Sequence, residues 1–368
     1  MVETRLLKNF DWWIFFATLG LIGFGCLMIY SASMGNAMSI SYIERQLVWA
    51  AIGLICAIFV ASIDTSFYHR HTSKLYIITI IMLILVLVIG DSSKGAQRWI
   101  GYGSLRIQPS EFAKITMIVA MSVFVVTRLR TIRTIKTFLL SLVYFMVPML
   151  LIFKQPDLGT SLVLIAIWMT ILFIMGTDLK NIGLFILAGI VLFSAGWTIP
   201  GIMKDYQKKR IITFLNPSVD PTGSGYHVTQ SRIAIGSGQL YGKGYLQGTQ
   251  RKLQFIPEQH TDFIFTVVGE EMGFVGASFV LLLYFIILWR AVVIMLTTED
   301  TTGRAITAGV VGMFVFHIFV NIGMTLGIMP VTGVPLPFMS YGGSALLANL
   351  LAIGLLEGVS LRRHRINF

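Results

Sequence analysis

Residues 12–31 read WWIFFATLGLIGFGCLMIYS, a stretch of twenty residues without a charged side chain. A helix needs about 20 apolar residues to cross the hydrocarbon core of a bilayer, so this stretch predicts a membrane span. Nine further, predominantly apolar runs follow, at 46–63, 74–90, 111–128, 137–153, 158–175, 180–199, 263–289, 304–327 and 341–361. The pattern predicts an all-α polytopic membrane protein with ten transmembrane helices.

The composition fits a chain that lies in lipid. Of 368 residues, 55% are hydrophobic and only 12% are charged, whereas a soluble domain carries about 25% charged residues. Because the bilayer solvates the outer face of a helix bundle, we expect a single transmembrane domain over residues 1–368. The net charge of +11 does not by itself indicate nucleic acid, since lysine and arginine accumulate on cytoplasmic loops. We therefore expect no nucleic-acid partner.

The distribution of lysine and arginine predicts the orientation. With ten spans, both termini and the loops on their side carry 14 of these residues, while the opposite set carries 6 and the long segment 200–262 carries the remaining 8. The positive-inside rule places both termini in the cytoplasm. The loops 91–110, 200–262 and 328–340 then lie outside. The large extracytoplasmic loop between spans seven and eight, about 200–262, has a length typical of functional or disordered loops.

The first candidate site is the motif QPSEFAK at 108–114, whose Pro-Ser pair is typical of a helix start. Glu111 and Lys114 lie three residues apart on one helix face and can pair. One interpretation is an ion pair that satisfies itself near the interface. The other is that Lys114 binds a substrate phosphate while Glu111 fixes its orientation. The presence of Arg98 and Arg106 in the same outer loop favours the second.

The second candidate site is the segment PEQHTDF at 257–263. Thr261 is predicted to cap the eighth membrane helix, which puts Asp262 in the first turn, where carboxylates are favoured for structural reasons. The alternative is that Asp262 is an outward-facing general base that deprotonates a sugar hydroxyl. His260 would then be an orienting or accessory group.

Two further helix starts carry polar groups. Asp157 opens the sixth membrane helix, either as an N-terminal cap or as a further carboxylate on the outer side. The sequence PVTGVPLPFMSYGGS at 330–344 ends in a helix start containing Ser340, Gly342 and Gly343. Exposed backbone N–H groups there would suit a diphosphate. The alternative is a tight turn that lets helices pack through small residues.

The remaining polar residues within spans are expected to serve the structure. Glu270 and Glu271 would be costly in lipid, so we expect them to face the bundle interior or a wet cavity. His317 and Asn321 lie four residues apart and predict hydrogen bonds between helices rather than a proton relay. The sequence contains no nucleotide-binding loop, dinucleotide fingerprint, serine-hydrolase elbow or zinc spacing. Nucleotide-driven transport and serine hydrolysis are therefore not favoured.

Several long motifs occur in a characteristic order: GAQRWI at 95–100, QPSEFAK at 108–114, QPDLGTS at 155–161, GKGYLQGTQ at 242–250, FIPEQHTDFIF at 255–265 and GVPLPFMSYGGS at 333–344. Through these motifs the chain resembles, over essentially its whole length, the SEDS family of shape, elongation, division and sporulation proteins. The short N-terminus and the sequence Glu258-Gln259-His260 resemble the elongation branch of that family more than the division branch.

The resemblance implies a ten-helix peptidoglycan glycosyltransferase in the bacterial cytoplasmic membrane, acting in cell elongation and rod shape. Such an enzyme polymerises lipid II on the outer face of the membrane and forms β-1,4 bonds with inversion. Its donor is a polyprenyl-diphosphate-linked glycan. The implied partners are a class B penicillin-binding protein, which crosslinks the strands, and other membrane proteins of the elongation complex.

The resemblance also assigns roles to residues. The essential aspartate of the family corresponds to Asp262, its buried Glu/Lys pair to Glu111 and Lys114, and its outer-loop arginine to Arg98. In this mechanism Asp262 is the base, while Lys114 and Arg98 neutralise the departing diphosphate, with a place for a divalent cation, Mg²⁺ or Mn²⁺, and no organic cofactor. A lipid II flippase and a noncatalytic scaffold for the penicillin-binding protein remain as alternatives.

Overall fold

The computed structural model describes residues 9–34, 39–93, 96–102, 105–199, 205–221, 223–249 and 259–363. Within them the chain forms twelve α-helices and one small antiparallel sheet. The helices are α1 Trp12–Ser33, α2 Ser39–Ser62, α3 Thr65–Ile89, α4 Pro109–Val126, α5 Ile135–Lys154, α6 Leu158–Ile174, α7 Leu179–Thr198, α8 Asp205–Leu215, α9 Ser224–Ser237, α10 Ile264–Thr297, α11 Thr301–Thr325 and α12 Gly343–Leu361.

Each of the ten predicted apolar runs falls on one helix, namely α1 to α7 and α10 to α12. Within the described residues, nine of these helices are long and apolar enough to cross a membrane, and α6 is a shorter apolar helix of 17 residues. The predicted starts of α2 and α3 were too late. Both helices begin with a polar turn, which hydropathy does not detect, and the Asp64 carboxylate stabilises the start of α3 by accepting the N–H of Ser66 at 2.8 Å.

Helix α12 packs along α2 through small residues. A Cβ at Gly354 would lie 2.5 Å from the carbonyl oxygen of Ala57, and one at Gly358 would lie 3.2 Å from that of Ala61. Because the two backbones are in direct contact, larger side chains at these glycines would push the helices apart. The same helices bring Gln46 and Trp49 of α2 to the start of α12.

The segment between α3 and α4 forms, in its described part, a sheet that the sequence did not predict. Its strands are β1 Asp91–Ser93, β2 Ala96–Tyr102 and β3 Leu105–Ile107, in the order β1-β2-β3. The predicted all-α fold therefore has one β exception. The sheet matters for the site because Arg98 lies on its central strand.

In its described part, the segment between α7 and α10 is folded rather than disordered. Helix α9 buries Ser231 against the bundle, where its hydroxyl pairs with that of Thr266 at 2.6 Å and donates to the carbonyl of Thr325 at 2.8 Å. Helix α9 therefore joins α10 to the end of α11.

Helix α10 is bent at Gly273, which has φ 62° and ψ −155°. The residues 238–249, called the strap below, insert at this bend. The carbonyls of Gln239 and Leu240 accept the N–H groups of Phe274 and Val275 at 2.8 and 3.1 Å. These N–H groups lose their helical partners at the bend, and the strap replaces them.

Two buried carboxylates hold the other end of the strap. Glu270 accepts the N–H of Thr249 at 2.8 Å and pairs with Lys243 at 2.8 Å. Glu271 accepts the N–H groups of Leu246 and Gly248, each at 3.2 Å. The prediction that Glu270 and Glu271 face the interior is confirmed.

Candidate functional site

The candidate site surrounds residues 330–340, called the proline loop below, where the starts of α4, α6, α10 and α12 converge. A Cβ at Gly159 of α6 would lie 2.6 Å from Cγ2 of Val334, and one at Gly333 would lie 3.6 Å from Oδ2 of Asp262. The N–H of Tyr341 donates to the carbonyl of His260 at 2.9 Å. Residues far apart in the sequence therefore share one neighbourhood.

A hydrogen bond to the backbone carbonyl of Asp262 fixes the position of this residue. The side-chain amide of Asn321 donates to the carbonyl of Asp262 at 3.0 Å and to that of Val334 at 2.8 Å, so α11 ties the residue to the proline loop. The prediction that Thr261 caps the helix was wrong. Helix α10 begins after Phe263, without a side-chain cap, and Asp262 lies in the preceding turn, partly exposed. Because long-range hydrogen bonds fix this turn, it does not need a local cap.

His260 lies between two tyrosine rings. Its imidazole stacks on Tyr42 of α2, with ring centroids 4.9 Å apart and an interplanar angle of 25°. It also contacts Tyr341 at 5.6 Å. The ring is therefore fixed by the starts of α2 and α12, beside the turn that carries Asp262.

Arg98 reaches from β2 to the junction between α5 and α6. Its Nε donates to the carbonyl of Gln155 at 3.0 Å, and a terminal nitrogen donates to the carbonyl of Pro156. The other terminal nitrogen lies 3.9 Å from Oδ1 of Asp157. The side chain remains 28% exposed, so the oriented guanidinium has N–H groups that an anion can reach.

Asp157 is an N-terminal cap, as one of the two interpretations predicted. It accepts the backbone N–H of Thr160 at 3.2 Å and the Thr160 hydroxyl at 3.0 Å. Its second oxygen also accepts from the Gln108 amide at 3.2 Å. The backbone N–H of Gln108 donates to the hydroxyl of Ser344 at 3.1 Å. This chain of contacts connects Arg98 to the starts of α6, α4 and α12.

The Glu111–Lys114 pair forms as predicted, with Oε2 and Nζ 2.8 Å apart. The Lys114 nitrogen also lies 3.1 Å from Nε2 of His317, whose Nδ1 is 3.1 Å from the carbonyl oxygen of Pro335. Because a carbonyl only accepts, Nδ1 carries the ring proton and Nε2 accepts from the ammonium group. The predicted hydrogen bond between helices is confirmed for His317, whereas Asn321 donates to carbonyls of the turn at Asp262 and of the proline loop.

The burial of Lys114 bears on its predicted role. Its side chain is 0% exposed and lies beneath the proline loop. In this conformation it contacts Glu111 and His317 and does not reach solvent. Direct contact between Lys114 and a substrate phosphate stays a prediction.

Ser340, Gly342 and Gly343 form the turn into α12. The Ser340 hydroxyl accepts an N–H within the proline loop at 2.8 Å, and the N–H of Gly342 donates to Gln46 at 3.4 Å. A Cβ at Gly343 would collide with the indole of Trp49. The tight-turn interpretation thus has direct structural support. Diphosphate binding stays a prediction and would use N–H groups from Gly343 onward, at the helix start.

Sequence reasoning missed two residues of this neighbourhood. Gln108 was read only as part of a helix start, and Gln46 was not singled out, although each bridges two chain segments. The sequence does carry a signal for both, because Gln108 lies beside a helix start and Gln46 lies within an apolar run, where a polar side chain needs a partner. Glu258, used above to distinguish branches of the family, lies outside the described residues.

Comparisons with known proteins agree with this arrangement. The family model for cell cycle proteins of the FtsW, RodA and SpoVE type matches residues 12–365. Peptidoglycan glycosyltransferase MrdB of Escherichia coli (strain K12) is 41% identical over 94% of this chain and 92% of its own length. Peptidoglycan glycosyltransferase RodA of Treponema pallidum (strain Nichols) is 35% identical over 98% of this chain and 100% of its own.

A solved structure agrees as well. It concerns the structural coordination of polymerization and crosslinking by a peptidoglycan synthase complex, and one of its chains superposes with a TM-score of 0.82 at 31% identity. The match covers 97% of this chain and 99% of that chain. With its apolar spans and these relatives, the chain is a multi-pass protein of the bacterial inner membrane. It belongs to the SEDS family of FtsW, RodA and SpoVE proteins.

Proposed function

We propose that the chain is a peptidoglycan glycosyltransferase that polymerises lipid II into glycan strands for cell elongation and rod shape. The observation that carries the proposal is that Asp262, a partly exposed residue, lies against the proline loop at Gly333, while Arg98 is oriented at the start of α6, which contacts the same loop through Gly159. Relatives that are 41% and 35% identical to the chain bear the name of this activity.

In the proposed topology the chain has ten spans and both termini are cytoplasmic. Helix α6, at 17 residues, lies at the lower end of the length that crosses a bilayer, and it contains no charged residue. The division of lysine and arginine, 14 against 6, supports the orientation. The starts of α4, α6, α10 and α12 then lie at the outer face, together with Asp262 and Arg98.

In the proposed reaction, the donor is a growing glycan on a polyprenyl diphosphate and the acceptor is the 4-hydroxyl of a lipid II sugar. The Asp262 carboxylate accepts the hydroxyl proton as the oxygen attacks the anomeric carbon from the face opposite the diphosphate. The diphosphate leaves with the electron pair of the broken C–O bond. Arg98 stabilises the negative charge that develops on it. Attack from the opposite face gives the inverted, β-1,4 product.

The buried Lys114 acts in this proposal through the proline loop. Its contact with His317, and the contact of His317 with Pro335, hold the loop against α4 and α11. The same loop lies against Asp262 at Gly333. Direct neutralisation of the diphosphate by Lys114 would require the loop to move away from α4.

A divalent cation, Mg²⁺ or Mn²⁺, remains a proposal. Among the described residues, no group of three or more His, Cys, Asp or Glu side chains is placed to hold a metal ion. Magnesium is often held by one or two carboxylates together with substrate phosphates, and a cation brought in by the diphosphate would fit that pattern. The reaction steps above do not depend on it.

The proposed partner is a class B penicillin-binding protein that crosslinks the product, within a complex of other elongation proteins in the membrane. The related solved structure supports this pairing, because it concerns polymerization and crosslinking in one peptidoglycan synthase complex. Coupling of the two activities is a reason to test the chain together with its partner.

Gel-resolved polymerisation of fluorescent lipid II by the purified chain and its partner tests the proposal. The chain should form glycan ladders also with a partner whose transpeptidase site is inactivated. Ladders that are absent while lipid II crosses liposome membranes would point to a flippase. Ladders that are absent without translocation would leave a noncatalytic scaffold.

A further inference from the structure

A cavity of about 160 Å³ lies between α8, α9 and the residues that follow α11. Its lining includes Arg210, Thr213, Val228, Arg232 and Met329. It does not include Asp262, Arg98 or any other residue predicted for the reaction. The cavity is therefore separate from the candidate site, although Pro330 and Val331 of the proline loop form part of its wall.

The charge of the cavity is positive. Arg210 and Arg232 line it, and no acidic residue is among the lining residues that the structure describes. The nearby carboxylate of Asp220 does not line the cavity. It pairs with Lys209 at 3.1 Å and accepts the N–H of Ser224 at 3.0 Å. The hydrogen bond from Lys209 lowers the pKa of Asp220 below its usual value. Asp220 is thus ionised and joins α8 to the start of α9.

Two side chains that line the cavity, those of Arg232 and Thr213, have hydrogen-bonding groups that could contact a ligand. The aliphatic part of Arg232 packs over the turn at Gly327, where a Cβ would lie 2.9 Å from Cδ, and the residue lines the cavity. In the described part of the chain, no hydrogen bond or ion pair involves the Arg232 guanidinium. The Thr213 hydroxyl is buried and likewise has no hydrogen-bond partner there. A buried hydroxyl without a hydrogen-bond partner destabilises the folded protein, and a bound ligand that hydrogen-bonds to it would remove that cost.

The size and surroundings of the cavity limit its ligand. A volume of 160 Å³ exceeds that of a single water, about 30 Å³, and is below the roughly 300 Å³ of pockets for drug-sized molecules. This volume suits a small polar group better than a drug-sized molecule. On the same segment the apolar side chains of Ile212, Leu215 and Val219 are exposed by 38%, 74% and 55%, which is typical of contact with lipid.

We propose that this cavity binds a phosphate group carried on a lipid, with Arg210 and Arg232 contacting its oxygens and the Thr213 hydroxyl donating to one of them. Guanidinium groups match phosphate oxygens in both charge and geometry. The phosphate could belong to an anionic phospholipid or to a polyprenyl diphosphate, and the chemistry of the cavity is the same for both. This site goes beyond the proposed polymerase reaction, which uses none of these three residues.

Binding to the full chain in neutral detergent, measured by native mass spectrometry, tests the proposal. The probes are dioleoylphosphatidylglycerol and farnesyl diphosphate, with dioleoylglycerol and farnesol as matched lipids without phosphate. The informative variants are Arg232→Gln and Thr213→Val, the second of which leaves the charge unchanged. Lys208→Gln is the matched control, because it removes one charge from α8 at a residue that does not line the cavity.

We expect Arg232→Gln to raise the dissociation constant of a phosphate-bearing probe about tenfold, the effect of losing one charge-assisted contact. Thr213→Val should raise it several-fold, while Lys208→Gln and the phosphate-free lipids show no such change. An effect on phosphatidylglycerol alone identifies a phospholipid site, and an effect on farnesyl diphosphate identifies a polyprenyl diphosphate site. Equal binding by Arg232→Gln, Thr213→Val and Lys208→Gln for both probes overturns the proposal. Since the readout is binding, it does not depend on whether the chain polymerises lipid II.

Discussion

Replacing Glu111 by glutamine should destabilise the protein strongly, because it leaves the Lys114 ammonium buried without its counter-charge. The two groups are 2.8 Å apart, which at an effective dielectric constant of about 20 corresponds to an attraction of about 6 kcal/mol. His317 and the new amide still contact the ammonium, so we expect a net loss of about 4 kcal/mol in the free energy of unfolding. Denaturant unfolding of the purified protein in detergent measures this loss.

The double variant Glu111→Leu with Lys114→Met is the matched comparison. It removes both charges and replaces them with apolar side chains of similar size, so it should recover most of the lost stability. An equal loss in the single and double variants would refute the reasoning that an uncompensated buried charge causes the effect. We also expect the stable double variant to lose polymerisation, because Lys114 no longer holds His317 and the proline loop.

Two further predictions concern the segment between α7 and α10. Gly242→Ala should lower the thermal unfolding midpoint, because Gly242 has φ +79° and a Cβ there would collide with the carbonyl of Glu271. The control Gly236→Ala should not lower it, because Gly236 is helical and a Cβ there meets nothing within 4 Å. Equal midpoints for the two variants would contradict the strap packing. Since Lys209 lowers the pKa of Asp220, the stabilisation from Asp220 should be complete above the unfolded pKa of about 3.9 and lost as pH falls through the lower folded value. Asp220→Asn should therefore flatten the stability–pH profile below about pH 4, and an unchanged acid limb would count against the contact with Lys209.

Much of the helical architecture follows from hydropathy. The runs of apolar residues locate the ten helices because a spanning helix must satisfy its backbone internally and present apolar side chains to lipid. The polar starts of α2 and α3 escaped detection for the same reason, since hydropathy reports only the part that lies in hydrocarbon. The sheet carrying Arg98 was missed because its strands have three, seven and three residues and depend on pairing with one another.

The site was less predictable, because long-range contacts shape it. The spacing of Glu111 and Lys114 predicted their pairing, a local property of one helix. It could not predict that His317, more than 200 residues away in the sequence, completes the pair and buries it. In the same way, Thr261 was a reasonable cap by local rules, but hydrogen bonds from Asn321 and Tyr341 fix the turn in a different conformation.

In the proposed reaction, Asp262 is the base that deprotonates the acceptor hydroxyl. We would measure polymerisation of fluorescent lipid II by the wild-type chain, Asp262→Asn and Asp262→Ala, each with its penicillin-binding partner. Asp178→Asn, at the N-terminal cap of α7, is the control with the same chemical change. We expect both Asp262 variants to fold and bind lipid II but to polymerise it at least about a hundredfold more slowly, while the control keeps its activity. Glycan ladders of wild-type yield from Asp262→Asn would contradict it.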